Sequence, residues 1–206
     1  MNVTEAIARV LKSEGVEWMA CFPSNPLIEA VAKEGIRPIA FRHERGAVMA
    51  ADGFSRMNDR NRFGVVAIQD QAGAENAMGG IGQAFADNVP ILVLPRGSSL
   101  ERTAVRPYFS AYRTYQSIAK HVEMIARPDM VGDVMRRAFH ALRNGRPGPV
   151  VVEMPADVSD QEVPDGGLLY HSPKVSIQMP SASDIKDAVR VLLEAKKPRS
   201  EEHTSE

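Results

Sequence analysis

Apolar and polar positions along the chain follow two periods in alternation. Val3, Ile7, Val10 and Leu11 recur at the spacing of one helix face, and Gly15 follows as a stop, which predicts a helix over Val3 to Glu14. A short apolar run, Glu17 to Phe22, is broken by Pro23-Ser24-Asn25-Pro26, and Leu27 to Lys33 reads as a second helix ended by Gly35. The unit repeats, with strands over Arg37 to Phe41 and Gly64 to Ile68 and helices over Gly46 to Met57 and about Ala74 to Ala86. Pro90 to Leu94 is a further apolar run; after an irregular stretch from Arg96 to about Tyr115 come a helix, Met130 to Leu142, and a last strand, Gly148 to Met154. Continuous apolar runs without strict alternation suit strands buried on both faces of a parallel sheet and covered by crossover helices. The expected fold is therefore α/β, a doubly wound, mostly parallel sheet with helices on both faces, spanning residues 1–158.

Beyond this domain the pattern fades. Residues 159–180 are rich in Pro, Gly, Ser and Asp without periodicity and read as a linker. Ser183 or Asp184 is then expected to cap an amphipathic helix carrying Ile185, Val189, Leu192 and Leu193, within residues 181–198. That helix reads as the first element of an incomplete second domain. The last eight residues, RSEEHTSE, contain no apolar residue and resemble the translation of a sequencing adapter, so 199–206 is read as a foreign or disordered tail.

Charge and cysteine content narrow the function classes. The formal net charge of −1 gives no bulk electrostatic reason to expect a nucleic-acid or anionic-membrane partner. No apolar run approaches the roughly 20 residues needed to span a bilayer, and the N-terminus carries Glu5 and Arg9 where a signal peptide would be apolar. A cytoplasmic protein is expected. The single cysteine, Cys21, lies in an apolar run and reads as a buried structural thiol.

In an open parallel sheet ligands bind at the carboxyl ends of the strands, which singles out the loops Phe22 to Pro26, Phe41 to Arg45 and Gln69 to Asn76. Glu44 is the ionisable residue with the most informative flanks: an apolar strand precedes it and a helix of small residues, Gly46 to Gly53, follows. Two readings are open from position alone. A carboxylate at a helix start is stabilised by the dipole, by about 0.3 to 1 kcal/mol; enclosed by a second protein surface, the same group could share a proton with a ring nitrogen. Elsewhere, GGIGQA (Gly79 to Ala84) lies within a helix-like run and reads as close helix packing, and no carboxylate and histidine set has metal-ligand spacing.

The segments GVEWMACFPSN, FRHERGAVMAADGFSR, GAENAMGGIGQAFADNVPILVL and GRPGPVVVEMPADV, in that order, resemble the N-terminal pyrimidine-binding domain of thiamine diphosphate enzymes of the acetolactate synthase and pyruvate oxidase type. The resemblance implies that Glu44 is the family's activating glutamate, which hydrogen-bonds N1′ of the cofactor aminopyrimidine and favours the imino tautomer that removes the thiazolium proton. His43 and Arg45 are then structural or interface residues. The loop Phe22-Pro23-Ser24-Asn25 stands where the family has an aromatic-Pro-Gly-Gly turn, and Gln71-Ala72-Gly73-Ala74-Glu75-Asn76 where it has Gly-Pro-Gly-Ala-Thr-Asn. By position, Pro23, Ser24, Ala72, Gly73 and Asn76 are implied to contact the cofactor beside Glu44. The resemblance further implies a 2-oxo acid substrate, Mg²⁺ held by a C-terminal domain absent from these residues, and a homodimer or tetramer in which Glu44 completes a partner's site. Two alternatives remain: a stand-alone pyrimidine-domain subunit of a two-chain decarboxylase, and a non-catalytic α/β interaction module.

Overall fold

The first helix, α1 (Val3–Ser13), opens with a reciprocal cap: Asn2 Oδ1 accepts from the Glu5 amide at 2.9 Å while the Glu5 carboxylate accepts from the Asn2 amide at 3.1 Å. The computed structural model describes residues 1–23, 25–58, 62–166, 168–176 and 179–199. In chain order the strands are β1 (Trp18–Cys21), β2 (Arg37–Ala40), β3 (Gly64–Ile68), β4 (Ile91–Gly97), β5 (His121–Met124) and β6 (Val150–Pro155). Between and after them lie α2 (Leu27–Lys33), α3 (Glu44–Met57), α4 (Ala72–Ala86), α5 (Ala111–Thr114), α6 (Val131–Arg143), α7 (Ala156–Ser159) and α8 (Ala182–Glu194).

The strands form one six-stranded sheet in the order β2-β1-β3-β4-β6-β5, every neighbouring pair parallel. This is the doubly wound α/β sheet expected. Its inner strands are apolar without alternation because both faces are covered: Val65, Ala67, Leu92 and Leu94 join the core beneath α1, α2 and α6, while Val66, Ile68, Ile91 and Val93 join the core beneath α3 and α4. The chain leaves β1 toward β2 on one side and returns to β3 on the other, so the winding reverses between β1 and β3. A crevice forms at such a reversal, outside the carboxyl ends of the strands.

The second face is drawn in by small residues. A methyl group on Gly64 would fall 2.2 Å from the Ala51 carbonyl oxygen, and one on Gly80 would fall 2.9 Å from Val48 Cγ1. Helix α3 therefore packs at backbone distance on β3 and closely on α4. Its C-terminal end is tied down as well, with Ser55 Oγ donating to the Pro90 carbonyl at 2.7 Å and accepting from the Gly64 amide at 2.9 Å. Arg56 joins Asp52 on α3 to Asp87 at the end of α4.

Two expectations are corrected. The first compact unit runs from Met1 to Val175, so the segment read as a linker from residue 159 belongs largely to it. Val163 is buried and its amide donates to the Met1 carbonyl at 2.9 Å, and Leu168 and Tyr170 pack on the main core. Strand β5 arises in a stretch to which no element was assigned. The second unit, 176–206, contains α8, whose cap is Ser181 and not Ser183 or Asp184: Ser181 Oγ accepts from the Asp184 amide at 3.2 Å, and the Asp184 carboxylate accepts from the Ser181 amide at 3.3 Å. Of the expected tail, residues 200–206 lie outside the described residues.

Candidate functional site at the strand reversal

Strand β2 ends at Ala40 and the chain turns through Phe41 to His43 into α3, with Glu44 as its first residue. His43 is the N-cap, its Nδ1 accepting from the Arg45 amide at 3.2 Å. A structural role expected for His43 thus has a concrete form, and it frees Glu44 from capping. The Glu44 side chain folds inward and the residue is only 2% exposed. Asn76, in the second turn of α4, donates from Nδ2 to Glu44 Oε2 at 3.1 Å. Gly73 closes the other side, where an added methyl group would lie 2.9 Å from Glu44 Oε1 and 2.3 Å from Gln69 Cγ.

Loop and helix residues fix this arrangement at a second level. Gln71, the N-cap of α4, has φ 44° and ψ −107°, a conformation that suits glycine. Tyr115 is fully buried, and its hydroxyl donates to the Ala74 carbonyl in the first turn of α4. Burial, reinforced by Glu153, Glu44 and Glu75, holds the Tyr115 hydroxyl in its protonated donor form. Glu153, near the end of β6 and 4% exposed, accepts from the Tyr112 amide at 2.6 Å and from Ser110 Oγ at 3.3 Å, fixing the turn that leads to Tyr115. Burial raises the affinity of the Glu153 carboxyl for its proton, and the amides of Tyr112 and Ala111 and the Ser110 hydroxyl only partly oppose it.

Across the crevice, Asn25 carries the β1 loop. Its Nδ2 donates to the carbonyls of Ile68, the last residue of β3, at 2.9 Å and of Leu94, within β4, at 3.3 Å, while Oδ1 accepts from the Leu27 amide at 3.0 Å. A glycine in this place, as in the resembling turn, could make none of these bonds. Of the residues named from sequence, Glu44, Gly73 and Asn76 come together; Ala72 opens α4 beside them, Pro23 lies in the β1 loop across the crevice, and Ser24 lies outside the described residues. Asn25, Tyr115 and Glu153 were not singled out for these roles. The buried polar side chain of a turn residue and the lone acid inside the apolar strand VVVEM were the signals available.

A buried, oriented carboxyl thus lies at the reversal of a doubly wound parallel sheet, under glycine-bearing helix starts, in the crevice where open α/β sheets bind ligands. The thiamine pyrophosphate enzyme family, through its N-terminal TPP binding domain, matches residues 1–123, and the chain belongs to that family. It is 31% identical over 216 residues to the acetolactate synthase isozyme 3 large subunit of Escherichia coli (strain K12), covering 96% of this chain and 36% of the relative. It is 33% identical over 167 residues to the acetolactate synthase large subunit of Lactococcus lactis subsp. lactis (strain IL1403), covering 78% and 28%. With the glyoxylate carboligase of Escherichia coli O157:H7 it shares 32% identity over 206 residues, covering 96% and 34%. The chain thus spans about a third of the length of these curated relatives. Among the described residues no group of three or more His, Cys, Asp or Glu side chains is placed to hold a metal ion, and no helix is long and apolar enough to cross a membrane.

Proposed function

We propose that this chain presents Glu44 to the aminopyrimidine ring of thiamine diphosphate in an enzyme that decarboxylates or ligates a 2-oxo acid, in the manner of its acetolactate synthase and glyoxylate carboligase relatives. The observation that carries the reading is the Glu44 carboxyl itself, 2% exposed and held by Asn76 at 3.1 Å, at the crevice where such sheets bind ligands. A ring nitrogen needs a hydrogen-bonding partner held in place, and a carboxyl excluded from water and fixed by Asn76 suits that task. Asn76 fixes one oxygen, and the missing side chain at Gly73 keeps a methyl group from the space beside the other. When bound, thiamine diphosphate supplies the electron sink for carbon–carbon bond chemistry at a 2-oxo acid.

On this reading Pro23, Ala72, Gly73 and Asn76 line the ring with Glu44. The diphosphate and Mg²⁺ are held by a separate diphosphate-binding domain, and the pyrimidine domain meets it within a homodimer or tetramer. Met49 on α3 and Phe85 on α4, each 41% exposed, support an interface on these helices. The unit alone is then inactive.

The test is hydrogen–deuterium exchange at the thiazolium C2 position, followed by NMR with the domain assembled with its diphosphate-binding domain. Glu44→Gln is expected to slow exchange by roughly 10²- to 10⁴-fold, the range of a positioned proton-transfer group. Asn76→Ala is expected to slow it by about tenfold, the loss of one hydrogen bond to a charged group. An unchanged rate in Glu44→Gln would overturn the reading.

A further inference from the structure

Arg96 and Ser98 lie where β4 leaves the sheet, and Arg96 Nε and Ser98 Oγ are buried polar atoms without a hydrogen-bond partner among the described residues. The one other such atom, Glu14 Oε2, faces Arg143 in an ion pair. Both atoms are closed off from the surface and Ser98 does not line the groove beside Arg96, so what bears on a ligand there is the Arg96 guanidinium, which forms no ion pair among the described residues. Arg96 also lines a groove of 680 Å³ between α2 and the edge of the sheet, walled on its apolar side by Cys21, Pro26, Ile28 and Ala40. That volume falls within the roughly 300–1,000 Å³ of small-molecule sites. Glu29 and Asp160 line the groove too, yet Arg96 forms no ion pair with either among the described residues.

We infer that this groove is a binding site for a small carboxylate with an apolar tail: the guanidinium of Arg96 takes the carboxylate and the wall of Cys21, Pro26, Ile28 and Ala40 takes the tail. A planar donor fork without an ion-pair partner among the described residues, beside apolar surface, matches a carboxylate better than a neutral group. Glu44 does not line the groove, whereas Pro23, assigned above to the cofactor ring, does, so the two sites adjoin at the β1 loop.

The probe is 3-phenylpropanoate, titrated against the full chain with the methyl groups of Ile28 and Ala40 observed by NMR. Saturable shifts are expected, weakened by at least about tenfold in Arg96→Met and less in Arg96→Lys, as for loss of a charged hydrogen bond. Asp160→Asn, which removes a competing negative charge from the lining, is expected to tighten binding, a gain that misfolding cannot produce. Glu44→Gln is expected to leave the affinity unchanged. Phenylpyruvate separates the sources of the carboxylate: tighter binding than 3-phenylpropanoate marks a 2-oxo acid, and equal binding marks a carboxylate effector. The inference is overturned if no saturable shift occurs, if neutral 3-phenylpropanamide binds equally well, if Arg96→Met binds like the parent chain, or if Glu44→Gln abolishes binding.

Discussion

Gln71 occupies a backbone conformation, φ 44° and ψ −107°, in which a side chain is strained by about 1–3 kcal/mol. Replacing it by glycine relieves that strain while giving back about 0.4–1 kcal/mol through the freer unfolded chain. Gln71→Gly is therefore expected to stabilise the fold by about 1 kcal/mol, read as a rise in urea midpoint. Asn25 has the opposite sensitivity. Its amide meets the carbonyls of two buried strand residues, and Asn25→Ala is expected to cost about 1–3 kcal/mol by the same measurement. Glu153 sets a pH dependence. Its proton leaves near the ordinary value of 4.5 in the unfolded chain and at higher pH in the folded one, because burial favours the neutral form. Between those values the folded state binds more protons, so stability falls as pH rises through the window. Glu153→Gln is expected to flatten that slope and to unfold later than the parent chain above it, with the Tyr112 amide still accepted by the side-chain carbonyl.

Among the elements, α3 depends most on absent side chains. Gly64→Ala would drive a methyl group into the backbone of α3 at Ala51, with no flexible side chain there to yield, and a loss of about 3 kcal/mol is expected in thermal or urea unfolding. The elements most legible in the sequence were those buried on both faces, such as VVAI of β3 and ILVL of β4, where the parallel sheet demands continuous apolar runs. Strand β5 was not legible. It lies at the sheet edge, only Val122 of its four residues is buried, and HVEM carries no pattern a short loop could not share. Glu44 stood out because its flanks change character on both sides. Asn25 and Glu153 did not reveal their work, because their partners lie across the fold: Asn25 bonds residues 43 and 69 positions away, and Glu153 bonds Tyr112, 41 positions away.

Across the molecule, the first unit is closed by chain that looked like linker. Tyr170 donates to Glu14 and packs edge-on against Phe139 with ring centroids 6.4 Å apart, while Arg143 pairs with the same glutamate. The side chain of Glu14 is 1% exposed, so its charge is tolerable only with these partners. Tyr170→Phe is expected to cost about 1–3 kcal/mol through the unmet carboxylate oxygen, and a chain ended at Val158 to unfold earlier still, both read by urea midpoint. The irregular spacing of Val163, Leu168 and Tyr170 hid this closure, since single anchors on extended chain leave no periodicity.

Strand β2 borders the open groove and is also an outer strand of the sheet. The amides of Arg37 and Phe41 donate inward, to the carbonyls of Glu17 at 2.9 Å and Cys21 at 2.8 Å, so by the alternation of the strand the nitrogen of Pro38 faces outward. Proline has no hydrogen to offer there. A strand from another molecule seeking to extend the sheet would meet a gap in the donor row, and the aggregation that open edges invite is blocked without covering this face. The chain can leave the rim of its groove exposed because that rim is a poor template for self-association.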